Sequence, residues 1–302
     1  GARVDEARLV AVPARVAGLR GAVAAALAQW AETRASAEAG RSDLREPTGA
    51  EAPEENTRGG MVRHRHLAVA ALLPAGRAAL AMVAPKAEAG FRVFKWKVGV
   101  GDGEVELALL DDLCGELPEG ARLRLDANGA WDRRRAERWL ERCAERPVEF
   151  VEQPIAATAR GGEDLLRGLA EDYPTPLALD ESLVGEGDIE RWLGAGWPGI
   201  FVVKPSLLGD MRGVLARLAA AKARVVFSSA LETAVGARAA LRAAFAWAGE
   251  ADATGTVRPR ALGFGVWPLF ADRRFDGPVA APFVRWEDVE RIDAEAVWNA
   301  LS

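Results

Sequence analysis

The stretch RLRLDANGAWDRRRAERWLERCAERPVEFVEQP, residues 122–154, decides the architecture. Arg122-Leu123-Arg124-Leu125-Asp126 alternates charged and apolar residues and stops at a carboxylate, as a strand end does. Over 132–145, Ala136, Trp139, Leu140 and Cys143 recur at helical spacing. Val148-Glu149-Phe150-Val151-Glu152 is again a short apolar strand closed by a carboxylate. A strand, a helix and a strand within about 30 residues make a βαβ unit, whose two strands are parallel.

Outward from this unit the same alternation recurs. Leu67 to Leu73 reads as a strand and 75–89 as a helix; Phe91 to Val98 as a strand and 103–116 as a helix. After Glu152 come a helix over 162–172, the strand Leu177 to Asp180 and a helix over 187–195. Ile200 to Lys204, a helix over 210–222, Arg224 to Ser228, an Ala-rich helix over 232–248 and a short final strand from Ala261 to Gly265 complete the series. About eight strands over about 200 residues favour a closed barrel over an open doubly wound sheet. The open sheet would carry a Gly-rich phosphate turn after its first strand, and Leu73-Pro74-Ala75-Gly76-Arg77 is not one. The expected fold class is therefore α/β, with a (β/α) barrel over residues 67–275. Residues 1–66 form a separate N-terminal portion, helical over Arg20 to Arg34 and polar over 35–60, where mobility is expected. The segment 276–302 is expected to return beside it.

Composition narrows the function. The 302 residues are 50% hydrophobic with a net charge of -5, which argues against nucleic acid or an anionic membrane as partner. No apolar run reaches the roughly 18 residues of a membrane span. Gly1 to Glu6 shows no signal-peptide pattern, and Cys114 and Cys143 sit in helical segments, so a cytoplasmic chain with reduced thiols is expected. His64 and His66 are the only histidines, which disfavours a Ser-His-Asp triad or a His-rich metal site. Of the 39 basic residues only five are lysines: Lys86, Lys95, Lys97, Lys204 and Lys222. Where arginine supplies generic positive charge, the lysines that remain are candidates for proton transfer, which arginine cannot perform.

Three of those lysines stand where strands end. Lys95 and Lys97, Asp126 and Asn128, Glu152, Asp180 and Glu181, and Lys204 follow one another along the chain. Lys97, Asp126, Glu152, Asp180 and Lys204 are 29, 26, 28 and 24 residues apart, about one βα unit each. Strand C-termini converge on one mouth of a barrel, so adjacent strands supply Lys, Asp, Glu, Asp and Lys to one pocket. Three converging carboxylates resist joint ionisation, and a hard divalent cation resolves the conflict. An all-oxygen donor set favours Mg2+, with Mn2+ as a substitute. A carboxylate substrate on such a cation has an acidified α-proton, which a lysine can remove to leave a stabilised enediolate.

These motifs resemble the enolase superfamily, in its muconate-lactonizing branch. Phe94-Lys95-Trp96-Lys97-Val98-Gly99 is similar to its Lys-x-Lys strand. Leu125-Asp126-Ala127-Asn128-Gly129-Ala130-Trp131, Val151-Glu152-Gln153-Pro154 and Leu179-Asp180-Glu181-Ser182 resemble its three metal-ligand motifs, and Val203-Lys204-Pro205-Ser206 its opposite lysine strand. Ser228-Ser229-Ala230-Leu231-Glu232-Thr233 and Gly263-Phe264-Gly265 are most similar to the o-succinylbenzoate synthases of that superfamily. The resemblance implies a (β/α)7β barrel with an α+β capping domain, of which residues 1–66 are a part lacking the usual strand meander. It implies Mg2+ on Asp126, Glu152 and Asp180, Lys97 as general base and Lys204 as the cation on the other face. Lys95, Asn128, Glu181, Ser228, Ser229 and Gly263 are implied as supporting or substrate-binding groups.

The activity implied is dehydration of 2-succinyl-6-hydroxy-2,4-cyclohexadiene-1-carboxylate to o-succinylbenzoate, in menaquinone or phylloquinone synthesis. One alternative is an N-acylamino acid racemase or dipeptide epimerase, with the two lysines exchanging protons on opposite faces. Dipeptide epimerases usually carry an Asp-x-Asp pair where this chain has Gly263-Phe264-Gly265. A further alternative is a catalytically silent barrel acting as a binding protein.

Overall fold

The computed structural model describes residues 65–254 and 259–300. Seven parallel strands lie side by side in chain order: β2 (Ala71–Leu73), β3 (Val93–Lys97), β4 (Arg122–Asp126), β5 (Val148–Glu152), β6 (Leu177–Leu179), β7 (Ile200–Val203) and β8 (Arg224–Phe227). Each is followed by a helix: α1 (Ala78–Glu88), α2 (Gly103–Glu116), α3 (Arg133–Cys143), α4 (Gly162–Asp172), α5 (Glu186–Gly194), α6 (Met211–Ala220) and α7 (Ala234–Thr254). Several helices start at an aspartate that satisfies free amide donors. Asp102 accepts from the amides of Glu104 and Val105, Asp132 from that of Arg135, and Asp210 from that of Gly213.

The sheet curls until its edges meet. Leu262 bridges Val69, Gly263 bridges Ser228, and both bridges are parallel. Residues 261–263 thus lie between the first and last strands, in the place of the short final strand expected from Ala261 to Gly265. An open doubly wound sheet would leave those edges apart, so the fold is the α/β barrel.

One expected strand divides. Leu67 to Leu73 is two strands, because its halves have different partners. β1 (His66–Ala68) pairs antiparallel with β9 (Phe283–Arg285), whereas β2 enters the barrel. At the break the amide of Val69 donates to Pro282 O and that of Ala70 to Leu262 O, both at 2.9 Å. The C-terminal segment thus returns to the start of the barrel, and α8 (Trp286–Glu290) and α9 (Ala294–Asn299) follow it. Arg242 on α7 fixes α8 through paired contacts to Glu290. The expected helix over Arg20 to Arg34, the mobility of 35–60 and the capping role of 1–66 concern residues outside those described, Arg65 and His66 apart.

Most of the core lies between strands and helices, where Trp96, Trp139, Leu110 and Leu123 are fully buried. Trp131 stacks on Trp139 with ring centroids 4.9 Å apart. A smaller cluster of Phe150, Ala178, Ile200, Val202 and Val226 fills the barrel interior. Strand residues two apart share a face, so Glu152, Asp180, Lys204 and Ser228 continue the inward-facing rows of Phe150, Ala178, Val202 and Val226. Beside Phe150, the buried guanidinium of Arg124 lies 4.8 Å from the ring, bonded to Glu149 at 2.7 Å and to Ala261 O at 2.8 Å.

Candidate active site at the barrel mouth

Strand register lines up the predicted residues. Lys97 pairs with Asp126, Asp126 with Glu152, and Glu152 with Ala178, two residues before Asp180. Two ion-paired groups result. Lys95 Nζ lies 2.9 Å from Asp126 Oδ2 and 2.8 Å from Glu152 Oε1. Across the mouth, Lys204 Nζ lies 2.5 Å from Asp180 Oδ1. Lys97 stands apart from the carboxylates: its exposed Nζ donates to Asn128 Oδ1 at 2.6 Å, and Asn128 Nδ2 donates to Glu181 Oε1 at 2.8 Å. Asn128 adopts a left-handed backbone with φ 45°, which turns its side chain off the strand end.

Electrostatics separate the two neighbouring lysines. Burial alone would lower the Lys95 pKa, but the charges and hydrogen bonds of Glu152 and Asp126 outweigh it and hold that ammonium above its ordinary range. Lys95 is therefore a fixed cation. Burial drives the Glu152 carboxyl up to about 8; Lys95 pulls it down, and Asp126 and Asp180 push it further up. This wall of carboxylates is short of positive charge.

The donor set fits a divalent cation chemically. All its donors are carboxylate oxygens, Glu152 is buried among like charges, Glu181 Oε2 is buried with no hydrogen-bond donor, and the buried Asp180 Oδ1 faces the Lys204 ammonium. In the arrangement described, no three acidic, His or Cys side chains among the described residues converge on a single point. Asp126 and Glu152 face Lys95, and Asp180 faces Lys204, so Lys95 must yield part of its contact for one ion to take all three.

The remaining supporting residues lie where β8 meets the closing segment. Ser228 Oγ donates to Gly263 O at 3.3 Å, and a side chain on Gly263 would run into that hydroxyl, 2.6 Å from the added carbon. Ser229 Oγ donates to Glu232 Oε2 at 3.2 Å and accepts from the amide of Leu231. Two further residues belong to the site that are not among those singled out from the sequence. Gln153, fully buried with φ 39°, accepts from the amides of Asp180 and Ser182 and donates to Ile155 O and Ser182 Oγ, so it ties the end of β5 to the end of β6. Glu232 faces Lys204 from the β8–α7 loop, and burial raises its pKa. The signal for Gln153 is its position directly after a strand-end carboxylate; Glu232 reads in sequence as a helix-start acid.

Residues 78–277 match the family model described as enolase C-terminal domain-like. The chain belongs to the enolase superfamily. Within it, the chain is 40% identical over 238 residues to the o-succinylbenzoate synthase of Thermosynechococcus vestitus, covering 76% of this chain and 68% of that protein. A crystal structure of the o-succinylbenzoate synthase from Thermosynechococcus elongatus BP-1, complexed with Mg in its active site, superposes with a TM-score of 0.67 at 30% identity. The match covers 99% of this chain and 79% of that one. The hydrophobic dipeptide epimerase of Roseobacter litoralis is 39% identical over 102 residues, 33% of this chain and 29% of that protein. These enolase-superfamily relatives are enzymes, and no described helix here is long and apolar enough to cross a membrane.

Proposed function

We propose that this enolase-superfamily chain is an o-succinylbenzoate synthase-like lyase that dehydrates 2-succinyl-6-hydroxy-2,4-cyclohexadiene-1-carboxylate. The observation that carries the mechanism is the division between Lys95 and Lys97. Lys95 is locked as a cation by two carboxylates, while Lys97 has only a neutral amide partner and stands exposed in the mouth. A general base must be free of a tight ion pair and reach the substrate, and the placement of Lys97 meets both needs. Asp126, Glu152 and Asp180 would hold Mg2+, whose charge would stabilise the negative charge that builds on the substrate carboxylate.

Neutral Lys97 Nζ takes the α-proton, and Asn128, anchored by Glu181, directs that amine. The resulting Lys97 ammonium gives its proton to the departing ring hydroxyl, which leaves as water with the C–O electron pair, while the electrons freed from the α C–H bond complete the aromatic ring. Lys204, held by Asp180, keeps a positive charge on the other face throughout. Ser228, Ser229 and Gly263 form the wall against which the substrate lies.

The synthase similarity extends over three quarters of the chain and the epimerase similarity over one third. Residues 261–265 also offer no carboxylate to hold an amino group. Both points favour dehydration over racemisation or epimerisation, as well as over a silent binding barrel. The test is turnover of the cyclohexadiene carboxylate with Mg2+, followed by formation of o-succinylbenzoate. Racemisation of N-acylamino acids or dipeptides with no dehydration would sink the proposal.

A further inference from the structure

Glu106 lies in the first turn of α2 and is 3% exposed, although it carries a carboxylate. It reaches back over the helix start to the loop that follows Lys97. Its Oε2 accepts from the amide of Gly99 at 2.9 Å; its Oε1 accepts from those of Val100 at 3.1 Å and Gly101 at 2.9 Å. The nearest guanidinium nitrogen, Arg135 Nη2, is 4.0 Å away. Three consecutive amides thus wrap one carboxylate, beginning two residues beyond Lys97. The helix does not need Glu106 as a cap, because Asp102 already accepts from the amides of Glu104 and Val105. A buried carboxylate is costly unless its hydrogen bonds are filled, and here every bond except the distant Arg135 contact goes to this loop.

The loop is fixed on its other side as well. Gly99 has φ +79°, and a side chain there would bring its first carbon within 2.8 Å of Ala130 Cβ. The amide of Val98 donates to Asp126 O at 2.9 Å. Lys97 therefore sits between a strand in register with Asp126 and a turn whose amides are held by Glu106.

We propose that Glu106 is a positioning residue for Lys97: by binding the amides of 99–101 it fixes the end of β3 and, with it, the direction of the Lys97 amine. This rests on the reading of Lys97 as the base. It predicts that loosening the turn costs turnover without costing metal, since Asp126, Glu152 and Asp180 lie on other strands.

The experiment compares wild type, Glu106→Ala, Glu106→Gln and Lys97→Arg as full chains. With 13C-labelled lysine the five lysines give five Cε signals, and the Lys97 signal is the one lost in Lys97→Arg. In Glu106→Ala the Lys97 signal should shift or broaden while those of Lys86 and Lys222 stay in place. Hydrogen exchange at the amides of 99–101 should quicken by about tenfold or more. The kcat should fall by about 10- to 100-fold, the scale of a misplaced reacting group, with KM and the Mg2+ dissociation constant nearly unchanged. Glu106→Gln keeps the shape and one acceptor oxygen, so it should rescue part of the kcat. A folded Glu106→Ala protein with an unmoved Lys97 signal, or with wild-type kcat, overturns the proposal. If wild type dehydrates nothing, the functional reading fails, and the lysine signal and amide exchange still decide the role of Glu106. If Glu106→Ala does not fold, the same readings on Glu106→Gln decide it, and an unmoved Lys97 signal there overturns it.

Discussion

At the scale of single residues, the two lysines facing the mouth test the chemistry. Lys97→Arg keeps a cation but replaces an amine, which can give up and take back a proton, by a guanidinium, which does not. Exchange of the substrate α-proton with solvent deuterium should fall by orders of magnitude while Mg2+ affinity changes little; unimpaired exchange would refute Lys97 as the base. Lys204→Arg keeps the charge opposite, so a dehydratase should retain part of its turnover, whereas a racemase would lose inversion altogether. Asp126→Ala, Glu152→Ala and Asp180→Ala should each weaken Mg2+ binding in a titration calorimeter and leave the barrel's circular dichroism intact. A crystal with Mg2+ should place an oxygen of each at about 2.0–2.1 Å from the ion, and separate locations for the three would end the ligand assignment. These residues are legible in sequence because each ends an apolar strand at a spacing of one βα unit. The role of Glu106 is not, and that of Gln153 is legible only as a place beside Glu152, because their partners are backbone amides of loops whose paths only the folded chain defines.

At the scale of elements, the strands and helices are readable because each carries one apolar pattern and one partner set. The segment Leu67 to Leu73 misleads for that reason: it is uniformly apolar, and nothing local marks where its partner changes from β9 to the barrel. Joints between elements are the sensitive points. Gln153→Ala leaves the amides of Asp180 and Ser182 without their acceptor, at a cost of roughly 1–3 kcal/mol for buried groups. Urea unfolding should register that loss. Gly129, with φ +72°, has room for no side chain, since the first carbon would lie 2.6 Å from Ala156 Cα. Gly129→Ala should therefore lower the urea midpoint as well and displace the neighbouring Asn128; a midpoint equal to wild type would show that the turn yields freely.

At the scale of the whole molecule, Arg124 in the barrel interior, Glu149 and Arg260 join β4, β5 and the segment approaching the closing bridges. Burial pushes the Glu149 carboxyl up, but the charges and hydrogen bonds of Arg124 and Arg260 outweigh it, so its pKa lies below the ordinary value in the folded state. A depressed carboxyl stabilises the fold above its unfolded pKa, and that contribution is lost as pH falls through the folded pKa. Wild type should thus lose stability in acid more steeply than Glu149→Gln, which should already be weakened at neutral pH. Removing one partner of a fully buried pair costs roughly 3–5 kcal/mol, and the partial exposure of Glu149 makes the cost smaller here. Parallel acid-unfolding curves for the two proteins would contradict the assignment. The closing bridges bear also on the order of folding. Leu262 meets Val69 across most of the barrel's chain length, and contacts so distant in sequence carry the largest loop-closure cost. The wall from Lys97 to Asp180 needs only neighbouring units, so it can assemble before the ring shuts. Leu262→Ala should hasten unfolding and leave the refolding rate nearly untouched. During synthesis the acidic wall would then form first, and the joining of the barrel's two edges would come as the last act of its folding.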